Sequence, residues 1–232
     1  MMNYLKKIYY NKYSKRSFSI SNVDLVINRI FYNTKKGVYI DIGCNHPIKY
    51  NNTYLLYMKG WNGINIDLDD KSINEFNKLR PNDYNISTIV SDKSNEEKEI
   101  YFYHERSAIN TVNKDLVDSR NEKPKKSIFK KTKTLNEIIQ NSPFGNEKIN
   151  LITIDIENHE YEALKDFDFK KYNVDVIVTE LHDLSKKLEI YTQSLSYITS
   201  SKLYKLLINN NYQLVNWVQS DLVFAKNDLK LY

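Results

Sequence analysis

The sequence predicts an α/β domain built on a parallel sheet with right-handed crossovers and closed by an antiparallel hairpin. Three observations carry this. Stretches with strand character alternate with stretches of helical periodicity along most of the 232 residues. The core strands are short, nearly continuous apolar runs, as strands buried on both faces are. The first of them, Val38-Tyr-Ile-Asp-Ile-Gly43, ends in an acid and a glycine before the polar stretch Cys44-Asn-His-Pro47. A glycine past a strand end lets the backbone turn close to a ligand, at the edge where open α/β sheets bind one. An acid beside that turn repels a pyrophosphate and suits a ligand that brings positive charge or hydroxyls.

Taken in order, a helix is expected over about 22–34, strand 38–42 and a helix near 52–59 that stops at Gly60. Strand 63–67 follows, and Ser72-Ile-Asn-Glu75 has the form of a capping box opening a helix. Strands 85–90 and 98–103 come next, then a second capping box, Thr134-Leu-Asn-Glu137, with Leu135, Ile138 and Ile139 on one helical face. Strand 149–155 leads to a helix over 159–166, and strand 174–180 to a helix near 197–209. Strands 212–217 and 221–226, separated by little more than a turn, form the hairpin.

The net charge of +5 is too small to imply nucleic acid. Cys44 is the single cysteine, so no intrachain disulfide exists and a reducing, cytoplasmic compartment is expected. No apolar run reaches transmembrane length. The basic N-terminus has no apolar segment behind it and is not a secretory signal.

Each core strand ends in an acid or a polar pair: Asp41, Asp67, Asp155 with Glu157, and Glu180 with His182, while Ser91-Asp92 closes strand 85–90. A single strand-terminal acid is most often a turn or capping residue. In a parallel sheet, however, these ends converge on one crevice, and crowded carboxylates cost free energy unless a cation or ligand balances them.

With these residues in view, the chain resembles the FkbM family of S-adenosylmethionine-dependent methyltransferases. The resemblance covers roughly residues 37–183. It rests on Val38–Pro47, Asn52-Thr-Tyr54, Gly60-Trp-Asn-Gly-Ile-Asn-Ile-Asp67, Arg80-Pro81, Leu151-Ile-Thr-Ile-Asp-Ile-Glu157 with Glu160, and Val176-Ile-Val-Thr-Glu180. The family commonly has a glycine after Asp-x-Glu where this chain has Asn158; asparagine tolerates the left-handed backbone region well enough for the turn to survive. The resemblance implies a Rossmann-like fold with a seven-stranded sheet, helices on both faces, and methyl transfer to oxygen, often on sugars or natural products. Residues 1–36 then read as an N-terminal helical extension and 37–232 as the methyltransferase domain.

Roles follow from the chemistry. Asp41 and Gly43 sit where the methionine part of S-adenosylmethionine would pass, with Asn45 in reach of its amino or carboxylate group. Asp67 is placed to take the ribose hydroxyls, as the acid on that strand does in dinucleotide folds, and helix capping is its alternative. Ser91 and Asp92 are expected beside the adenine amino group. Methyl transfer to a hydroxyl needs alignment and removal of a proton. Asp155, Glu180 and His182 supply either a general base or the ligands of a Mg²⁺ or Mn²⁺ ion that acidifies the hydroxyl. His159 reads as a capping or solvent-facing residue, His46 as a pocket neighbour, and His104 has no such context.

The basic run Lys123, Lys125, Lys126, Lys130, Lys131 and Lys133 is a solvated loop or a mobile flap for an anionic acceptor such as a nucleotide-linked sugar. Tyr4, Tyr9, Tyr10 and Tyr13 supply a docking segment for a second copy or a membrane surface, or pack on the sheet; the residues leave that open. The expected activity is O-methylation of a sugar hydroxyl in a glycan or polysaccharide pathway. Its alternatives are RNA methylation, for which no RNA-binding module or amino-methylation signature is present, and a non-catalytic cofactor-binding module.

Overall fold

The computed structural model describes residues 14–183 and 193–230. In chain order the elements are α1 (Val23–Ile30), β1 (Val38–Ile42), α2 (Tyr54–Met58), β2 (Asn62–Asp67), α3 (Asp70–Leu79), β3 (Tyr84–Ser87), β4 (Ile89–Val90), β5 (Glu97–Phe102), α4 (Lys114–Ser119) and β6 (Lys126–Lys133). There follow α5 (Leu135–Gln140), β7 (Ile149–Ile154), α6 (Glu160–Leu164), α7 (Phe169–Tyr172), β8 (Val176–Glu180), α8 (Leu195–Ser200), α9 (Lys202–Asn209), β9 (Tyr212–Val218) and β10 (Asp221–Lys226).

Seven strands form one sheet in the order β3-β2-β1-β7-β8-β10-β9. The first five run parallel, and β10 lies antiparallel between β8 and β9. β1 is the middle one of the five parallel strands, with Ile40 level with Ile64 on one side and Ile152 on the other. Strand alternation sends Val38, Ile40 and Ile42 to one face, packed with Leu135, Ile138, Leu164 and Leu207 from the helices. Tyr39 goes to the other face, where Val23, Ile27 and Phe31 of the α1 region meet Trp61, Leu151, Val178 and Val223. Both faces are thus covered, which is why the strands read as continuous apolar runs. The helix of the expected N-terminal extension packs directly on the sheet; Tyr4, Tyr9, Tyr10 and Tyr13 lie outside the described residues.

Four expectations are corrected. Strand 85–90 breaks at Thr88: β3 stays in the main sheet, while β4 pairs in parallel with β6 in a second sheet of order β4-β6-β5. Thr88 makes the transition by donating its N–H to Asp67 O (2.9 Å) and its hydroxyl to Lys131 O (3.4 Å). The capping serine at 72 is fully buried inside α3, because Asp69 caps that helix three residues earlier by accepting from Lys71 N. The helix near 197–209 divides at Ser201, whose hydroxyl accepts from Tyr204 N and starts α9. The basic run is mostly strand: Lys126, Lys130, Lys131 and Lys133 belong to β6, and Lys123 and Lys125 lie in the loop before it. Its residues 126–131 pair antiparallel with β5, and Lys130 is tied to Asp70 (2.9 Å), Ser87 Oγ (2.6 Å) and Leu68 O (3.1 Å). At Thr134 the box is half formed: its hydroxyl accepts from Glu137 N (3.2 Å), whereas its own N–H goes to Ser94.

Candidate active site

The carboxyl ends of the parallel strands meet as expected. Gly43 follows β1 with φ +79°, and its N–H and that of Cys44 both donate to Ile66 O (2.8 and 3.1 Å). β7 continues into Asp155, whose N–H donates to Ile42 O (3.0 Å). The turn is so close to this neighbour that a Cβ on Gly43 would fall 1.8 Å from Asp155 O. Glycine is required here both for conformation and for space. The narrow cavity beside it is lined by Gly43, Asn45, Asp67 and Asp155, by apolar Ile66, Ile89 and Val90, and by a covering loop that includes Ser107, Ala108 and Asn110.

Asp67, at the end of β2, is held by fixed donors. Its Oδ1 accepts from Asp69 N (2.8 Å) and its Oδ2 from Asn45 N (2.9 Å), Asn45 itself standing at φ +49°. Burial lifts its pKa to about 6, and these two backbone bonds oppose the rise. Each oxygen keeps lone-pair capacity toward the cavity, which suits a ligand with paired hydroxyls. The covering loop is pinned above: Arg106 N donates to Asp69 Oδ2 (2.7 Å), Asn45 Nδ2 to Arg106 O (3.3 Å), and the Arg106 guanidinium pairs with Glu75.

At the other end, β7 and β8 bring acids against one another. Asp155 opens onto the cavity with its side chain exposed there; desolvation first, then the charge of Glu180, raises its pKa above the ordinary carboxylate value, with a shared hydrogen bond adding to the effect. Glu180 Oε1 accepts from Ser220 Oγ (2.6 Å) in the β9–β10 turn, and its Oε2 lies 2.9 Å from His182 Nε2. Burial disfavours the Glu180 anion, but the His182 hydrogen bond and charge prevail and its pKa is lowered. Burial likewise disfavours the His182 cation and is outweighed by Glu180, Glu157 and Glu160, so that pKa is raised. The turn between them holds Glu157 and Asn158 at φ +58° and +64°. Asn158 therefore keeps the left-handed turn in glycine's place, and Glu157, a residue that rarely adopts this region, is strained into it. Burial raises Glu157 to about 7 and Glu160 to about 8. Beyond this turn lies an open groove of about 540 Å³, bordered by Asn113, Asn158, Tyr161, His182, Tyr197 and Lys202.

Of the expected residues, Gly43, Asn45, Asp67 and Asp155 share the cavity. Glu180 and His182 adjoin Asp155, with His182 facing the groove. Asp41 does not reach the cavity. It lies on the Tyr39 face of β1, where its Oδ2 accepts from Asn51 (2.9 Å) and Thr53 (2.8 Å) near buried Arg80. Ser91 and Asp92 are not among the residues that line the cavity, whose wall here is Ile89 and Val90. Ser91 Oγ donates to Asp92 (3.0 Å), and Asp92 is paired with Lys165 (2.6 Å), a hydrogen bond that lowers its pKa to about 2. The conditional metal reading finds no support: among the described residues no three His, Cys, Asp or Glu side chains are arranged to hold an ion, and the Glu180 oxygens are bonded to Ser220 and His182.

His46 forms a turn instead of a wall, its Nδ1 accepting from Ile48 N and Lys49 N (3.0 Å each). His159 is buried on the cavity wall with Nε2 3.3 Å from Ser91 Oγ, and burial lowers its pKa to about 4, so it is neutral. Its position next to Asn158 was the available signal. Arg120, whose Nη2 reaches Glu157 Oε2 at 2.6 Å, and Ser220 had no signal in the sequence.

A parallel sheet of this strand order, with a Gly turn and an acid at β2 around one cavity, is the architecture of a Rossmann-like methyltransferase. A family model described as the methyltransferase FkbM domain matches residues 41–212. The chain belongs to that family and is a methyltransferase. Comparison with curated proteins gave no match. Among the described residues no helix is long and apolar enough to cross a membrane.

Proposed function

We propose that the protein transfers a methyl group from S-adenosylmethionine to a hydroxyl of a sugar, either nucleotide-linked or within a polysaccharide pathway. One observation carries the reading: a coupled acid–imidazole cluster adjoins a cavity whose far end offers an acid oriented by two backbone amides. The fit to the cofactor rests on chemistry present in the chain. Asp67 matches the two ribose hydroxyls, Ile66, Ile89 and Val90 match a flat heteroaromatic base, and Gly43 and Asn45 line the cavity where the methionine portion would pass. When bound, S-adenosylmethionine supplies an electrophilic methyl on a sulfonium.

The chain's own task is then the acceptor's proton. With Nε2–H directed at Glu180, the free acceptor atom of neutral His182 is Nδ1. The groove that His182 borders is the proposed acceptor site, and Nδ1 would take the proton of a hydroxyl held there. Glu180 fixes the tautomer and stabilises the imidazolium that forms. Asp155, whose pKa is raised by desolvation and by the charge of Glu180, adjoins this pair at the cavity end. Incubation with methyl-labelled S-adenosylmethionine and a panel of nucleotide sugars and oligosaccharides should give a labelled, base-stable ether. Label found only on RNA, or in no product while the cofactor binds, would overturn the assignment.

A further inference from the structure

Arg120 was singled out by nothing in the sequence, yet it joins two parts of the site that lie far apart in the chain. Its Nη1 donates to Ile109 O (2.7 Å), in the loop whose Ser107, Ala108 and Asn110 cover the cavity. Its Nη2 donates to Glu157 Oε2 (2.6 Å), in the left-handed turn after Asp155. Both side chains of this ion pair are nearly buried, at 10% and 13% exposure, so the pair is not a screened surface contact. Two further bonds run the same way. Thr111 Oγ1 donates to Glu157 O (3.4 Å), and Asn113 Nδ2 to Asn158 O (3.1 Å).

We infer that Arg120 is a positioning residue that couples closure of the covering loop over the cofactor to the backbone of the Glu157–Asn158 turn. The physical argument is one of strain. Two consecutive non-glycine residues at positive φ persist only where their surroundings over-determine them, and here the determinants come from the covering loop and α4. If that loop moves to admit a ligand, Glu157 loses its charge partner together with a bond to its carbonyl. The turn is then free to relax, and it carries Asp155 at one end and contacts His182 N through Asn158 Oδ1 (3.4 Å) at the other. A guanidinium makes this possible because its planar fork serves two acceptors at once, whereas a lysine offers one compact charge on a flexible stem.

The inference rests on the cofactor reading above, and its test separates the two. Amide hydrogen exchange is followed on the full chain with and without S-adenosylhomocysteine, alongside calorimetry. In the parent, the ligand should slow exchange in both 107–112 and 155–160; no heat and no protection in the parent would sink the cofactor reading itself. In Arg120→Lys, binding should persist, weakened about 3- to 30-fold, with protection retained at 107–112 and lost at 155–160. Arg120→Ala should show the same separation more strongly. If it fails to fold, the lysine variant, which keeps the buried charge, decides alone. Turnover supplies a second readout through a cycle of Arg120→Lys, Glu157→Gln and the double variant. The double variant should be no slower than the worse single one, since each breaks the same link. Undiminished protection at 155–160 in Arg120→Lys, or additive losses in the cycle, would overturn the proposal.

Discussion

The two halves of the sheet's carboxyl edge treat their acids in opposite ways. At the β2 end, Asp67 receives one backbone amide on each oxygen, from Asp69 and Asn45, and the like charges of Asp69 and Asp41 weigh less on it than burial and these bonds. At the β7–β8 end, Asp155, Glu157, Glu160 and Glu180 crowd together, and the answer to their repulsion is proton uptake, one imidazole and one guanidinium. Backbone amides neither titrate nor move, so the first arrangement makes a fixed acceptor for a ligand. Protons and imidazoles exchange, so the second makes a site that can receive a proton. Under the proposed function, binding and chemistry are divided along a single edge.

The comparison breaks most visibly if His182 is removed. His182→Ala should lower kcat by about 10²–10⁴-fold, the range typical of a lost general base, and leave cofactor affinity within a few-fold. Because the pKa of His182 is raised, the parent's rate should climb with pH above the ordinary imidazole range; Glu180→Gln, which removes the charge holding the proton, should move that limb to lower pH. A parent rate independent of pH between 6 and 9, with normal turnover by His182→Ala, would remove the base from this end of the site.

Asp67→Ala is the mirror experiment. Each charge-assisted bond lost to the cofactor costs roughly 1.5–3 kcal/mol at most, so calorimetry should record weaker binding while kcat at saturating cofactor stays near the parent's. Equal affinity would show that Asp67 serves only Asn45 and Asp69.

Much of this division was legible beforehand, and the illegible part has a physical reason. The strand-terminal acids announced themselves because strand period and chain order alone bring them to one edge, and Gly43 because no other residue fits against Asp155 O. Asp41 misled because a one-residue step along a strand reverses the face; it shares a face with Tyr39, away from the cavity. Asp92 misled because its partner Lys165 comes from the far end of the α6 turn region, and ion pairs between distant segments leave no local pattern. Thr88 hid the change of sheet for the same reason, its hydroxyl being answered by Lys131. The basic run looked like a loop because it is exposed on both sides, and only its pairing with β5 reveals a strand.

The smallest expected effect sharpens the comparison through stability. Four buried acids have folded pKa values above their ordinary ones: Asp67 at about 6, Glu157 at about 7, Asp221 at about 7 and Glu160 at about 8, burial being the leading cause in each. Between about pH 4.5 and 8 the folded state therefore binds more protons than the unfolded chain, and the stability these groups confer is lost as pH rises through that window. Neutral His159, lowered to about 4, works the other way, but only below its ordinary value of 6.5. From pH 6.5 to 8 nothing among these groups offsets the decline, so the denaturation midpoint should fall by the equivalent of at least ~1.4 kcal/mol, one pKa unit on one group. Glu160 supplies the decisive variant. Its Oε1 accepts from Ile156 N (2.8 Å), a bond that a glutamine oxygen preserves. Glu160→Gln should thus flatten the slope and be more stable than the parent at pH 8, whereas Asp92→Asn, which breaks the Lys165 pair, should lose stability at the same pH. A parent midpoint that rises from pH 6.5 to 8 would mean that the acids at the β7–β8 end are ionised and balanced, and the contrast between the two ends would disappear.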